Sequence, residues 1–139
     1  MSNLKRILGI DYGSKRIGIA VSDPLRIIAQ GISVVANSST VVNDIIKLVH
    51  EYDVEMIVVG MPLNLKGEKG IKADEVEKFI SQVEKELQID VIRFDERLTS
   101  KMAHQTLRDM EVKKRKRQDK GTIDKMAAAL ILQGYLDSQ

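Results

Sequence analysis

The chain has 139 residues, 43% of them hydrophobic and 30% charged, with a formal net charge of +2 and no cysteine. That is the size of one ordinary domain with enough apolar residues for a real core, so a single domain over residues 1–139 is expected. The composition excludes a disordered chain, a disulfide framework and a thiolate zinc site.

No stretch approaches the roughly 18 consecutive apolar residues of a membrane span. The first six residues run directly into a strand-like segment without a signal-peptide core, so a cytoplasmic protein with no membrane attachment is expected. Residues 7–12 (ILGIDY) read as a strand bounded by turn residues, and residues 13–15 as the turn after it. Residues 16–22 (RIGIAVS) form a second strand, broken by Asp23 and Pro24, and residues 32–35 (ISVV) a third. So short a first connection favours antiparallel pairing. The period then changes: Val42, Ile45, Ile46 and Val49 recur at i, i+3, i+4 and i+7, which predicts an amphipathic helix over 40–52.

Residues 55–60 (EMIVVG) are a short continuous apolar strand of the kind buried on both faces in a parallel sheet. A loop with Pro62, Gly67 and Gly70 leads into a helix whose face carries Val76, Phe79, Ile80, Val83 and Leu87. Residues 91–94 are the last strand, succeeded by helices over 99–111 and 123–136. The order β-β-β-α-β-α-β-α-α is an antiparallel meander followed by βαβ crossovers, an α/β protein with a five-stranded mixed sheet flanked by helices. The ribonuclease-H-like fold looks like this, although order alone does not single it out.

Three acids stand where chemistry could use them. Asp11 interrupts an apolar strand between Gly9 and Gly13, and a carboxylate there must face solvent, pair with a cation or hold a metal. The alternative is a cap on the adjoining turn. Glu96 ends the last strand, at the carboxyl end where open parallel sheets place their sites. Strand alternation sends Asp95 and Glu96 to opposite faces, so one can face the site while the other pairs with Arg97 or Arg93. Asp124 falls in the first turn of the last helix, with Thr122 as its expected N-cap, where the helix dipole alone would explain an acid. It also shares a stripe with Ala128, Ile131 and Tyr135. Together the three are hard oxygen ligands of the kind that bind Mg2+ or Mn2+, and two such ions serve phosphodiester hydrolysis.

Residues 113–120 (KKRKRQDK) hold six cations and one anion, a charge of +5 that leaves −3 for the rest of the chain. A concentrated basic run on an acidic body points to a polyanion partner, against the plainer reading of a solvated loop. Lys113, Lys114, Arg115, Lys116, Arg117 and Lys120 are therefore candidate substrate contacts, joined by Lys15 and Arg16 in the first hairpin and by Arg97. Residues 64–70 precede a helix N-terminus, a place that attracts phosphate. His50 and His104 are too few for a zinc constellation. The aromatics Tyr12, Tyr52, Phe79, Phe94 and Tyr135 fall at core spacing, which does not support a base-stacking platform.

The motifs are familiar in combination. Residues 9–23 (GIDYGSKRIGIAVSD), 59–63 (VGMPL) with Gly67 and Gly70, 95–100 (DERLTS), and 116–124 (KRQDKGTID) with the helix after it resemble the four motifs of the YqgF-type family. Members of that family are nucleases of pre-ribosomal RNA, also described as Holliday-junction-resolvase-like. The match covers nearly the whole chain, in order and at the expected spacing. It implies a ribonuclease-H-like fold, a site of Asp11, Glu96 and Asp124, and water-mediated cleavage of a phosphodiester in structured nucleic acid. It also implies that Asp11 bridges the metals while Glu96 and Asp124 complete their coordination. Lys66 departs from the family pattern, which touches loop contacts and not the chemistry.

The leading expectation is endonucleolytic processing of the 5' end of pre-16S ribosomal RNA by a monomer or homodimer. Resolution of four-way DNA junctions is the second, and would require two active sites. The hairpin around Asp11 also resembles the phosphate-binding hairpin of actin-like ATPases and sugar kinases, but those pair two such domains and this chain has room for one. A non-catalytic nucleic-acid- or transcription-factor-binding module is a further alternative, in which the basic run matters and the acids do not. Replacing the cations of 113–120 by serine is expected to weaken nucleic-acid binding more than the chemical step. An unaltered affinity at low salt would remove the run from the interface.

Overall fold

The computed structural model describes residues 5–63, 66, 67, 69–98 and 121–139. The elements are, in order, β1 (Arg6–Tyr12), β2 (Arg16–Ser22), β3 (Ala29–Ala36), α1 (Val41–Glu51), β4 (Val54–Met61), α2 (Ile71–Leu87), β5 (Asp90–Asp95), a 3-10 turn (Glu96–Leu98) and α3 (Gly121–Asp137). The expected helix over 99–111 and the basic run lie outside the described residues. The sheet order is β3-β2-β1-β4-β5. β1, β2 and β3 pair antiparallel, while β1–β4 and β4–β5 are parallel. This is the mixed sheet the element order predicts.

Strand alternation divides the apolar residues between two layers. Leu8, Ile10, Ile17, Ile19, Ile57 and Val59 pack against α1 and α2, with Ile45, Val76, Phe79 and Ile80 from the helices. Ile7, Ala20, Val58 and Phe94 face the other way, onto Ala128, Ile131, Leu132 and Leu136 of α3. The central strands β1 and β4 are covered on both faces, which is why they read as continuous apolar runs.

β3 is longer than expected, starting at Ala29 instead of 32. Gln30, Gly31 and Ser33 break its apolar pattern, and the register with β2 slips between Ile19 and Ala20, a bulge that the period-2 reading does not see. α3 begins at Gly121, so Thr122 lies inside the helix and is not its N-cap.

Glycines set how closely α3 lies on the sheet. A Cβ at Gly18 would stand 2.0 Å from the carbonyl oxygen of Asp124, one at Gly31 2.8 Å from the Lys125 carbonyl, and one at Gly9 2.6 Å from Cβ of Leu132. Gly9 thus serves helix packing. The other end of α3 is tied down by Gln133, whose side chain accepts from the Ala29 amide (2.9 Å) and donates to the Ile27 carbonyl (3.0 Å). That loop is itself fixed by Asp23, whose carboxylate accepts the amides of Leu25, Ile27 and Ile28.

Gly18→Ala should force α3 outward and cost roughly 1–3 kcal/mol, as overpacking does. Gly121→Ala, with only a Val34 methyl at 3.9 Å, should be neutral or slightly stabilising. Denaturant unfolding of the two variants measures the contrast.

Candidate nuclease site

The three acids come from elements far apart in sequence, and the sheet register brings them to one end of one face. Asp11 pairs across the hairpin with Gly18, the residue over which the Asp124 backbone sits. On the other side Ile10 pairs with Val59, so Gly60 is next along β4. A Cβ at Gly60 would lie 2.6 Å from Oε1 of Glu96 and 2.6 Å from Cδ1 of Ile131. The Glu96 side chain therefore reaches back from the 3-10 turn over β4. β1, β4 and β5 run parallel, and the three acids gather at their carboxyl ends, the usual position for sites in such sheets.

The electrostatics report the same gathering. The Asp11 carboxyl is pushed up to about 7, chiefly by burial, and further by the neighbouring charges of Glu96 and Asp124; Lys72 partly opposes this. Sequence reasoning misses Lys72. Its signal is nonetheless there, since a lysine in the first turn of a helix opposes the helix dipole and needs a nearby anion to compensate.

The carboxylates do not form a closed cage: among the described residues no three His, Cys, Asp or Glu side chains are grouped so as to hold a metal ion. Asp124 has a cationic partner of its own. Its Oδ2 accepts the Arg16 Nε–H at 2.7 Å, so Arg16, a candidate phosphate contact, is engaged by a candidate ligand. As donors the residues fit a hard divalent cation. The donors are all carboxylate oxygens, and the charge on half-buried Asp11 is opposed by two like charges that such a cation would offset.

Asp95 takes the other side of the strand end. Its carboxylate is gripped by Arg97 through Nε (3.0 Å) and Nη2 (2.6 Å), which holds it below the usual carboxylate range. Arg97 is thereby committed to Asp95, and it also lies 3.2 Å from where a Gly67 Cβ would stand. Arg93 instead donates to Glu77 at 2.7 Å and lies 3.7 Å from Glu84, tying β5 to α2. Lys15 is exposed in the hairpin turn, its carbonyl accepting the Asn37 amide at 2.9 Å. His50 is exposed at the end of α1, and His104 lies outside the described residues, as do Lys113, Lys114, Arg115, Lys116, Arg117 and Lys120. Phe79 and Phe94 are buried, and Tyr12, Tyr52 and Tyr135 pack partly against the core. No helix among the described residues is long and apolar enough to cross a membrane.

The architecture is the ribonuclease-H-like fold. T. thermophilus RuvC in complex with Holliday junction substrate superposes with a TM-score of 0.59 at 17% identity, covering 96% of each chain. The fowlpox virus resolvase in its Holliday junction DNA complex gives 0.56 at 13% identity, covering 96% of this chain and 97% of that one. At such identities the likeness establishes the fold alone.

Sequence establishes the family: the RuvX model, described as Holliday junction resolvase, matches residues 5–138, and the chain belongs to that family. It is 48% identical over 135 residues to a protein of Syntrophus aciditrophicus, covering 96% of this chain and 89% of that one. It is 43% identical over 135 residues to one of Ruminiclostridium cellulolyticum, covering 95% and 94%. Both relatives carry the name "Putative pre-16S rRNA nuclease".

The raised Asp11 value has a consequence for stability. Between pH 4 and 7 the folded protein holds a proton at Asp11 that the unfolded chain releases, so stability falls as pH rises through that window and levels off above about 7. A rise from 3.8 to about 7 corresponds to roughly 4 kcal/mol at full expression. In chelator at pH 8, Asp11→Asn should therefore unfold at higher denaturant than wild type, and the difference should vanish at pH 4. Equal midpoints at both pH values would show that Asp11 ionises without penalty.

Proposed function

We propose that this protein is a divalent-metal-dependent endonuclease that hydrolyses phosphodiester bonds in processing the 5' end of pre-16S ribosomal RNA, acting in the cytoplasm. The observation that carries the reading is the meeting of Asp11, Glu96 and Asp124 at one end of one sheet face, with Asp11 made costly to ionise by burial and by the other two. The names of the relatives supply the substrate.

Asp11, Glu96 and Asp124 would hold Mg2+ or Mn2+, as a pair of ions. Bound there, the ions supply an activated water and charge neutralisation at the leaving oxygen. The chain's own contribution is placement. β1 delivers Asp11 from a rigid central strand, the 3-10 turn folds Glu96 over Gly60, and α3 brings Asp124 down onto Gly18. Exposed Lys15 and the basic run 113–120 would hold the phosphate backbone, with Arg16 and Arg97 nearer the acids. Arg16 donates only Nε–H to Asp124, which leaves its other guanidinium N–H groups for phosphate.

The family description favours a second reading, resolution of four-way DNA junctions. One assay separates the two: cleavage of labelled precursor ribosomal RNA and of a four-way junction, side by side, with Mg2+, Mn2+ or chelator. Metal-dependent cutting of the RNA is expected, with Asp11→Asn abolishing it while the variant stays folded. Unchanged turnover in a folded variant would sink the metal-site reading. Binding of both substrates without cleavage by either protein would leave a binding module.

A further inference from the structure

The ion pair between Arg16 and Asp124 joins residues 108 apart in sequence, at the edge of the candidate site. Only one guanidinium donor is used. Nε–H is bound to Asp124, and among the described residues the other four N–H groups of Arg16 have no protein partner. Their planar fork matches phosphate geometry. The Arg16 side chain is 42% exposed and that of Asp124 23%, so the pair opens toward solvent on the arginine side. Pairs of that kind are weak and exchange readily.

Arg16 takes one oxygen of the Asp124 carboxylate and sets its positive charge beside the other. Asp124 Oδ2 faces Arg16 at 2.7 Å, and a divalent ion approaching from the Asp11 side would meet a fixed positive charge across a single carboxylate. The helix carrying Asp124 does not depend on the pair, since α3 is seated by Gly9, Gly18 and Gly31 and tied by Gln133.

We infer that Arg16 is a latch on the metal site: its charge on Asp124 opposes a divalent ion until a nucleic-acid phosphate takes the guanidinium, so that substrate and divalent metal bind cooperatively. Arg16 acts through Asp124 and is a positioning residue. The inference rests on the reading of Asp11, Glu96 and Asp124 as metal ligands. It inverts the usual expectation for a group hydrogen-bonded to a ligand, whose removal weakens metal binding.

The test is Mn2+ binding to the full chain without nucleic acid, monitored by the paramagnetic resonance of free Mn2+. Arg16→Gln should bind Mn2+ roughly 5-fold or more tightly than wild type, in the range of ordinary site–site coupling, and Arg16→Lys should stay near wild type. In an Asp124→Asn background the Arg16→Gln gain should disappear. Lys72→Gln removes a cation from the same neighbourhood and should give a gain that survives Asp124→Asn, which separates a latch from general charge. In chelator, Arg16→Gln should also weaken binding of labelled precursor ribosomal RNA several-fold, read by fluorescence anisotropy. An Arg16→Gln affinity for Mn2+ equal to or below wild type would overturn the latch while leaving the metal site standing. Unchanged RNA affinity would overturn the transfer to phosphate. Absence of Asp11-dependent Mn2+ binding in every variant would remove the metal-site reading and the latch with it.

Discussion

Helix α3 lies against the sheet at backbone distance, and it can do so only because the residues beneath it have no side chains. Gly9, Gly18 and Gly31 lie on three adjacent strands, and a Cβ at any of them would meet α3 at 2.8 Å or less. Gly60 on a fourth strand leaves room for both Glu96 and Ile131. The cost of placing glycine in strands, where it gives up conformational entropy and packing, is borne at four positions on one face. What this achieves is depth. Asp124 enters low enough to be felt by Asp11, and Glu96 bends back over β4 instead of pointing into solvent.

This packing sets up the central electrostatic conflict. Asp11 belongs to a strand buried on both faces, and two further carboxylates are brought toward it, with Lys72 opposing them only in part. The remaining strong pairs lie elsewhere: Arg97 with Asp95, Arg93 with Glu77, and Arg26 with Glu55 are all turned away from the Asp11 face or at the opposite end of the sheet. The conflict is tolerable because the apolar layers on the two sheet faces supply the stability that an ionised Asp11 takes away.

Much of the fold is legible from periodicity. The period-2 runs of β1, β2 and β4, and the 3.6-period faces of α1 and α2, are set by burial that does not depend on distant partners. The departures have local physical causes. β3 reads short because Gln30, Gly31 and Ser33 obey a bulge and the approach of Lys125, not a simple alternation. Thr122 looks like a cap because capping residues announce helix starts, but α3 takes Gly121 into its first turn. For the candidate site, residue type and position pick out Asp11 on a strand, Glu96 at a strand end and Asp124 in a helix's first turn, but Glu96 lies past β5 in the 3-10 turn, so strand alternation does not place it. Illegible are the contacts made between elements. Gly18 faces Asp11 across the hairpin, a pairing the strand assignments contain, yet nothing local says that a helix more than 100 residues later will land on it.

Arg16 meets the same limit. As the exposed, charged first residue of a hairpin strand it reads as a solubilising group or a phosphate contact, and both readings treat it as independent of the acids. Its partner is one of them. A cation tied to a carboxylate by a half-exposed bond occupies a position that both a phosphate and a metal ion contest, from opposite sides. Those two ligands bring opposite charges to the site, so each removes the obstacle the other faces. On the proposed reading, a hairpin binding phosphate and a carboxylate binding metal would be thermodynamically linked through the single arginine between them, and by linkage the coupling would have the same size in both directions.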